Sequence, residues 1–149
     1  MKIAIASDHA GFGMKKEIIA YLRRNHMAWD ITDMGPDDDA SVDYPVYAHM
    51  VASAVARGEY RRGILLCGSG IGMSMTANRF PGVRAALCVT PKMAELSRQH
   101  NRANVLCLGA RLVELEDNIQ IVKTWLETDY SDEPRHTRRY RLMDLLKTV

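Results

Sequence analysis

The stretch Gly63-Ile64-Leu65-Leu66-Cys67-Gly68-Ser69-Gly70-Ile71-Gly72 decides the architecture of this chain. Its first half is a continuous apolar run, the pattern of a strand in the middle of a parallel sheet. Its second half sets three glycines at alternate positions and passes into a helical pattern that reaches about Asn78. Strand, glycine turn and helix in that order make one βα unit, and parallel strands require such crossovers.

The same alternation extends in both directions. Toward the N-terminus, residues 3–6 read as a strand, and residues 13–25 as a helix with Met14, Ile18, Ile19 and Leu22 on one face. Residues 29–32 read as a second, weaker strand. Tyr44-Pro45 opens a helix that should bury Tyr47, Val51 and Val55 and end near Gly58. Toward the C-terminus come a strand over 83–89, a helix over 91–100 with Pro91 in its first turn, a strand over 104–108 and a helix over 114–127. A polar linker, 129–134, leads to a last amphipathic helix over about 134–147, ending in Leu142, Leu145 and Leu146. The pattern implies an α/β fold: a five-stranded parallel sheet with helices on both faces, and an extra C-terminal helix. Residues 1–149 read as a single domain, with no internal repeat. The last helix has no sheet of its own to cover, so it is expected to pack on a partner subunit.

Apolar residues make up 47% of the chain and charged residues 26%, proportions of a soluble globular protein. A formal net charge of +2 gives no field suited to nucleic acid or an anionic membrane. Basic residues do concentrate in Arg135-His136-Thr137-Arg138-Arg139-Tyr140-Arg141, which suits a small anion better than a polymer. No apolar run reaches membrane-spanning length, and the chain opens directly into a strand pattern. Three cysteines without paired spacing argue against a disulfide framework and for a reduced, cytoplasmic setting. Histidines 9, 26, 49, 100 and 136 show no ligand-set spacing, so no metal is expected.

In sheets of this kind ligands bind beyond the carboxyl ends of the strands, which directs attention to Ser7-Asp8-His9, Cys67-Gly68-Ser69, Thr90 and Gly109-Ala110-Arg111. The glycine loop lets backbone N–H groups approach an anionic oxygen at a helix N-terminus. It lacks the Gly-Lys-Ser/Thr ending of a P-loop, and Met75 stands where a dinucleotide fingerprint needs glycine or alanine. The plain alternative is a tight turn closing a strand–helix joint. Cys67, at a strand terminus beside a helix N-terminus, is placed to act as nucleophile or carbon-acid base; its alternative is a buried thiol like Cys88 and Cys107. Asp8 and His9 can hydrogen-bond a sugar or phosphate, or Asp8 can cap the following helix. His100 either does chemistry or complements a helix C-terminus. Arg111, and Arg135 with Arg139 one turn apart, can clamp phosphate or form a solvated charged face.

Taken as an ordered set, Ser7-Asp8-His9-Ala10-Gly11-Phe12, Val42-Asp43-Tyr44-Pro45, the run from Leu66 to Ser74, Ala77-Asn78-Arg79, Leu96-Ser97-Arg98-Gln99-His100-Asn101 and Asn104-Val105-Leu106 resemble the type B ribose-5-phosphate isomerases. That family is grouped with galactose-6-phosphate isomerase subunits and allose-6-phosphate isomerases. The resemblance covers the whole chain. It implies a three-layer α/β/α Rossmann-like domain, a homodimer or a tetramer built from it, and active sites at the subunit junction. It further implies metal- and cofactor-free aldose–ketose isomerisation through an enediolate. Cys67 matches the base, and Ser69 with the N–H groups of Gly68, Gly70, Ile71 and Gly72 matches the enediolate hole. His100 matches the ring-opening acid, with Asp8 beside it. His9, Arg111, Arg135 and Arg139 match phosphate and substrate contacts, Asn101 a sugar contact, and Tyr44 the pocket lining. Two departures stand out: Ser69 replaces a common threonine and keeps the hydroxyl, and Met73 stands where some relatives carry a glutamate base. The leading expectation is therefore ribose 5-phosphate isomerisation. Its rivals are a galactose or allose 6-phosphate isomerase, and a non-catalytic phosphate- or nucleotide-binding module with a redox-sensitive thiol.

Overall fold

Five strands, β1 (Lys2–Ser7), β2 (Asp30–Asp33), β3 (Arg62–Cys67), β4 (Ala85–Leu87) and β5 (Val105–Gly109), form one sheet in the order β2-β1-β3-β5-β4. Every neighbouring pair is parallel. Between and after them run α1 (Phe12–Asn25), α2 (Tyr44–Ala56), α3 (Ile71–Ala77), α4 (Pro91–Asn101), α5 (Leu115–Glu127) and α6 (Pro134–Leu146). The computed structural model describes residues 1–26 and 28–146; residue 147, the expected end of the last helix, lies outside the described residues.

The period-2 alternation of the strands sorts the core into two layers. Ile3, Ile5, Ile64, Leu66, Leu106 and Leu108 face α1, α4 and α5, with Ile18, Leu22, Ile121, Val122 and Trp125 buried against them. Ala4, Ala6, Leu65, Cys67, Val105 and Cys107 face the other way, onto α2 and α3, with Val51, Ala52, Val55, Met73 and Ala77. β3 is buried at all six positions, its apolar run from Gly63 to Cys67 and Arg62 at its start alike. The start of α4 is fixed by Thr90, whose Oγ1 accepts the Met93 N–H, and by Pro91 in the first turn.

Two sequence expectations need correction. The strand expected over 83–89 is only three residues long. β4 is the sheet's edge, and Asn78 satisfies the free side of Ala85 in place of another strand: its Oδ1 accepts the Ala85 N–H and its Nδ2 donates to the Ala85 carbonyl, at 2.9 and 2.8 Å. Second, α1 buries Lys15 fully while Met14 is only partly buried, because the ammonium reaches Asp33 Oδ1 at 2.6 Å and the Pro36 carbonyl at 2.8 Å. Tyr47 is likewise only half-buried. The last helix, α6, also holds to its own chain. The His136 ring stacks on His100 of α4 with centroids 4.2 Å apart, Arg102 donates to the Tyr140 hydroxyl, and Asp144 pairs with Arg84. Its Leu142 remains half exposed. No described helix is long and apolar enough to cross a membrane.

Candidate active site

β1, β3 and β5 end side by side at one edge of the sheet. From β1 the chain winds outward to β2, and from β3 it winds the other way to β4 and β5. The crevice between the ends of β1 and β3 is thus the point at which the winding reverses, the place where such sheets hold ligands. A cleft of about 620 Å³ opens there. Asp8, Cys67, Arg111 and Tyr44 line it together with the glycine loop.

Cys67 is the last residue of β3 and is 5% exposed. The Gly70 N–H donates to its Sγ at 3.1 Å, so the thiol sits inside the turn that launches α3. Gly70 holds φ +76°, and a Cβ there would come within 2.6 Å of the Leu87 side chain and 2.9 Å of the Leu108 carbonyl carbon. Only glycine closes this joint. At Gly72 a Cβ would lie 2.5 Å from the Tyr44 ring, so Tyr44 wraps directly over the loop. Ser69 Oγ accepts the Ile71 N–H at 3.3 Å. The β5 loop is laced to the same turn: Ala110 N–H donates to the Cys67 carbonyl and Arg111 N–H to that of Gly68, both at 2.9 Å. The other thiols are poor candidates for chemistry. Burial pushes Cys88 up to about 11, partly offset by Ser97, and pushes Cys107 well above its ordinary value, with Cys67 adding to the effect.

Asp8 sits at the turn into α1 and beside the cleft. Its Oδ1 accepts the Gly11 N–H at 3.0 Å at the entrance of α1, and the carboxylate still lines the cleft. Met75, noted above only for breaking a dinucleotide fingerprint, and Leu112 also line it. Met75 lies four residues after Ile71, so helical spacing from the loop was the signal that marked it. Gly70 is buried behind the cleft wall rather than in it.

Four expected residues, His100, Asn101, Arg135 and Arg139, stand apart from this cleft, and His9, next to Asp8, is not among its lining residues. His9 places its Nδ1 3.3 Å from both the N and O of Val42. His100 and Asn101 end α4, which carries the chain from the carboxyl edge back to the amino edge of the sheet, where β5 begins. Asn101 accordingly lines a small hollow with Arg84 and Ala85, at the start of β4. Arg135 and Arg139 flank His136, whose ring lies nearly parallel to that of His100. Arg135 is largely exposed and pairs with Glu133 at 2.7 Å. His136 is 4% exposed, and its pKa is lowered first by burial and then by the charges of His100 and Arg135. The expectation that Asp8 lies beside His100 therefore fails within one chain. Asp8 and Cys67 occupy one edge of the sheet and His100 the other, and six residues of β3 span about 20 Å.

Comparison with known proteins gives one consistent answer. A family model described as Ribose/Galactose Isomerase matches residues 3–143. Ribose-5-phosphate isomerase B of Escherichia coli is 47% identical over 138 residues, which is 93% of this chain and 91% of that protein. The solved structure of Trypanosoma brucei type B ribose 5-phosphate isomerase superposes with a TM-score of 0.94 at 47% identity, over 97% of each chain. Mycoplasma genitalium ribose-5-phosphate isomerase B, solved with bound ribulose 5-phosphate, gives 0.92 at 42% identity, over 99% of this chain and 96% of the other.

Proposed function

The chain belongs to the Ribose/Galactose Isomerase family, and on that premise we propose that it interconverts D-ribose 5-phosphate and D-ribulose 5-phosphate through an enediolate. Aldose–ketose isomerisation is the activity the family supports; the sugar and the residue roles are our reading. The observation that carries it is Cys67, a thiol held in the glycine turn and lining the cleft with that turn.

Cys67 removes the proton from C2 of the open-chain aldose. The electron pair forms the C1–C2 double bond and moves the carbonyl electrons onto O1. Returning the proton to C1, with transfer of the O2 proton to O1, completes the ketose. A positioned base contributes about 10²–10⁴-fold. Backbone N–H groups of Gly68, Ile71 and Gly72, with the Ser69 hydroxyl, stabilise the developing oxyanion, while the Gly70 N–H stays on the Cys67 sulfur; losing one oxyanion donor typically costs about 3–4 kcal/mol. Asp8 and Tyr44 orient the sugar. His100 donates the proton that opens the furanose ring, and Asn101 contacts a sugar hydroxyl. His9, Arg111, Arg135 and Arg139 grip the phosphate and hold the reacting carbons at the thiol.

The opposite placement of Cys67 and His100 calls for a second copy of the chain. In a homodimer with a two-fold axis, one chain lends Cys67, Asp8, Tyr44 and Arg111, and the other lends His100, Asn101, Arg135 and Arg139, producing two equivalent sites. Exposed Met75, Ile71 and Leu112 at the cleft mouth supply apolar surface for that contact. Residues 1–149 act in it as one domain, and three free thiols support a reducing, cytoplasmic setting.

Replacing Cys67 by Ala should lower ketose formation from ribose 5-phosphate by about 10²–10⁴-fold while binding of the sugar phosphate persists. Near-normal turnover would remove the base role. A higher kcat/KM on allose 6-phosphate or galactose 6-phosphate would replace the pentose by a hexose.

A further inference from the structure

At the sheet edge opposite the Cys67 cleft, five arginines converge on a hollow of about 770 Å³. Arg61 and Arg62 stand at the start of β3, Arg84 precedes β4, and Arg98 and Arg102 come from the end of α4. Arg84 pairs with Asp144. Among the described residues the other four have no carboxylate within 4.0 Å, although Asp129 and Asp132 form part of the wall.

Arg61 is exposed, and the other three are braced by rings and carbonyls rather than by carboxylates. Arg62 and Arg98 lie over the Trp125 ring, at 5.7 and 5.8 Å from its centroid. Arg102 lies over Tyr130 and Tyr140. Arg98 donates to the Ala103 and Thr128 carbonyls. Arg62 is only 9% exposed; its Nη1 donates to the Arg61 carbonyl, and its Nε is buried with no hydrogen-bond partner. Burial, then the charge of a neighbouring arginine, draws the pKa of Arg62 down to about 10 and that of Arg98 to about 9, which leaves both charged at neutral pH. Asp129 offsets part of this effect, but buried cations outnumbering their counter-charges are costly, and an unpaired N–H beside them adds to the cost. Both costs fall if an anion enters.

We propose that this hollow is a second anion site, separate from the catalytic cleft, that binds the dianionic phosphoryl group of a small metabolite. Four unpaired arginines against two aspartates leave a formal surplus of two positive charges, and a phosphoryl group carries about −1.5 to −2 at neutral pH. Its oxygens accept from forked guanidinium donors, and the orphaned Arg62 Nε supplies one more. A nucleic-acid backbone would call for an extended basic stripe instead of a hollow.

Inorganic phosphate is the probe, titrated calorimetrically at low salt into the Arg111→Ala variant, whose catalytic phosphate grip is weakened. One phosphate per chain should bind. Adding Arg61→Glu, an exposed position, should weaken that binding at least tenfold, and Arg62→Gln should do the same. The single Arg61→Glu chain should retain its ribose 5-phosphate turnover within about twofold, since neither Arg61 nor any other residue lining the hollow is assigned to either half of the proposed site. If Arg62→Gln does not fold, Arg61→Glu decides alone. Absence of phosphate binding, binding unaffected by Arg61→Glu, or loss of turnover in that variant would each overturn a separate anion site.

Discussion

His136 shows how a single side chain ties stability to pH. Its buried ring stacks on His100, with Arg135 and Arg139 adding positive charge and Glu133, 3.8 Å away, opposing them. The net effect holds its pKa below the ordinary 6.5. The unfolded chain therefore takes up this proton first as pH falls. The stability that neutral His136 contributes is complete above about pH 6.5 and is lost as pH drops through the lower, folded value. Unfolding midpoints recorded between pH 7.5 and 5 should fall in the native chain and fall less steeply in His136→Gln. Parallel pH slopes in the two chains would acquit His136. At the same scale Cys67 differs from Cys88 and Cys107 by position alone: one thiol ends a strand at the cleft, and two lie in the core.

The βα joints are where sequence and element meet most tightly. Gly70 carries α3 off β3 at φ +76° with Leu108 backbone pressed against it. Alanine there would cost about 1–2 kcal/mol in backbone conformation alone, and the contact with Leu108 adds to that. Gly70→Ala should lower the denaturation midpoint and, by displacing the N–H aimed at Cys67, depress kcat more than KM; unchanged kinetics would show that the loop tolerates the shift. Much of this level was legible in the amino-acid order. The unbroken apolar run of β3 announced a central strand, and the glycines with Cys67 announced the cleft, because burial and backbone conformation restrict which residues fit. The extent of β4 was not legible, since its free side is closed by Asn78, a contact that no periodicity records. The docking of α6 was hidden for the same reason: His100 on His136, Arg102 on Tyr140 and Arg84 on Asp144 join residues 36 to 60 positions apart. Nor could spacing reveal that His100 and Cys67 belong to opposite edges, which follows from the direction of α4 across the sheet.

Across the whole molecule, that opposition divides the proposed chemistry between two surfaces of one chain. It makes a specific demand on mixtures. Cys67→Ala and His100→Ala chains are each expected to be nearly inactive alone. Unfolded together and refolded in equal amounts, half of the dimers would pair one of each kind. One of the two sites in every such dimer would then carry an intact thiol and an intact imidazole. Activity should return to about a quarter of the native level. No recovery would mean that both groups act from the same chain. The remoteness of Cys67 from His100 thus turns assembly into a licence to operate. On the proposed division a newly made chain, however well folded, would stay idle until it meets its copy, and in dilute solution turnover should climb with the square of protein concentration rather than in proportion to it.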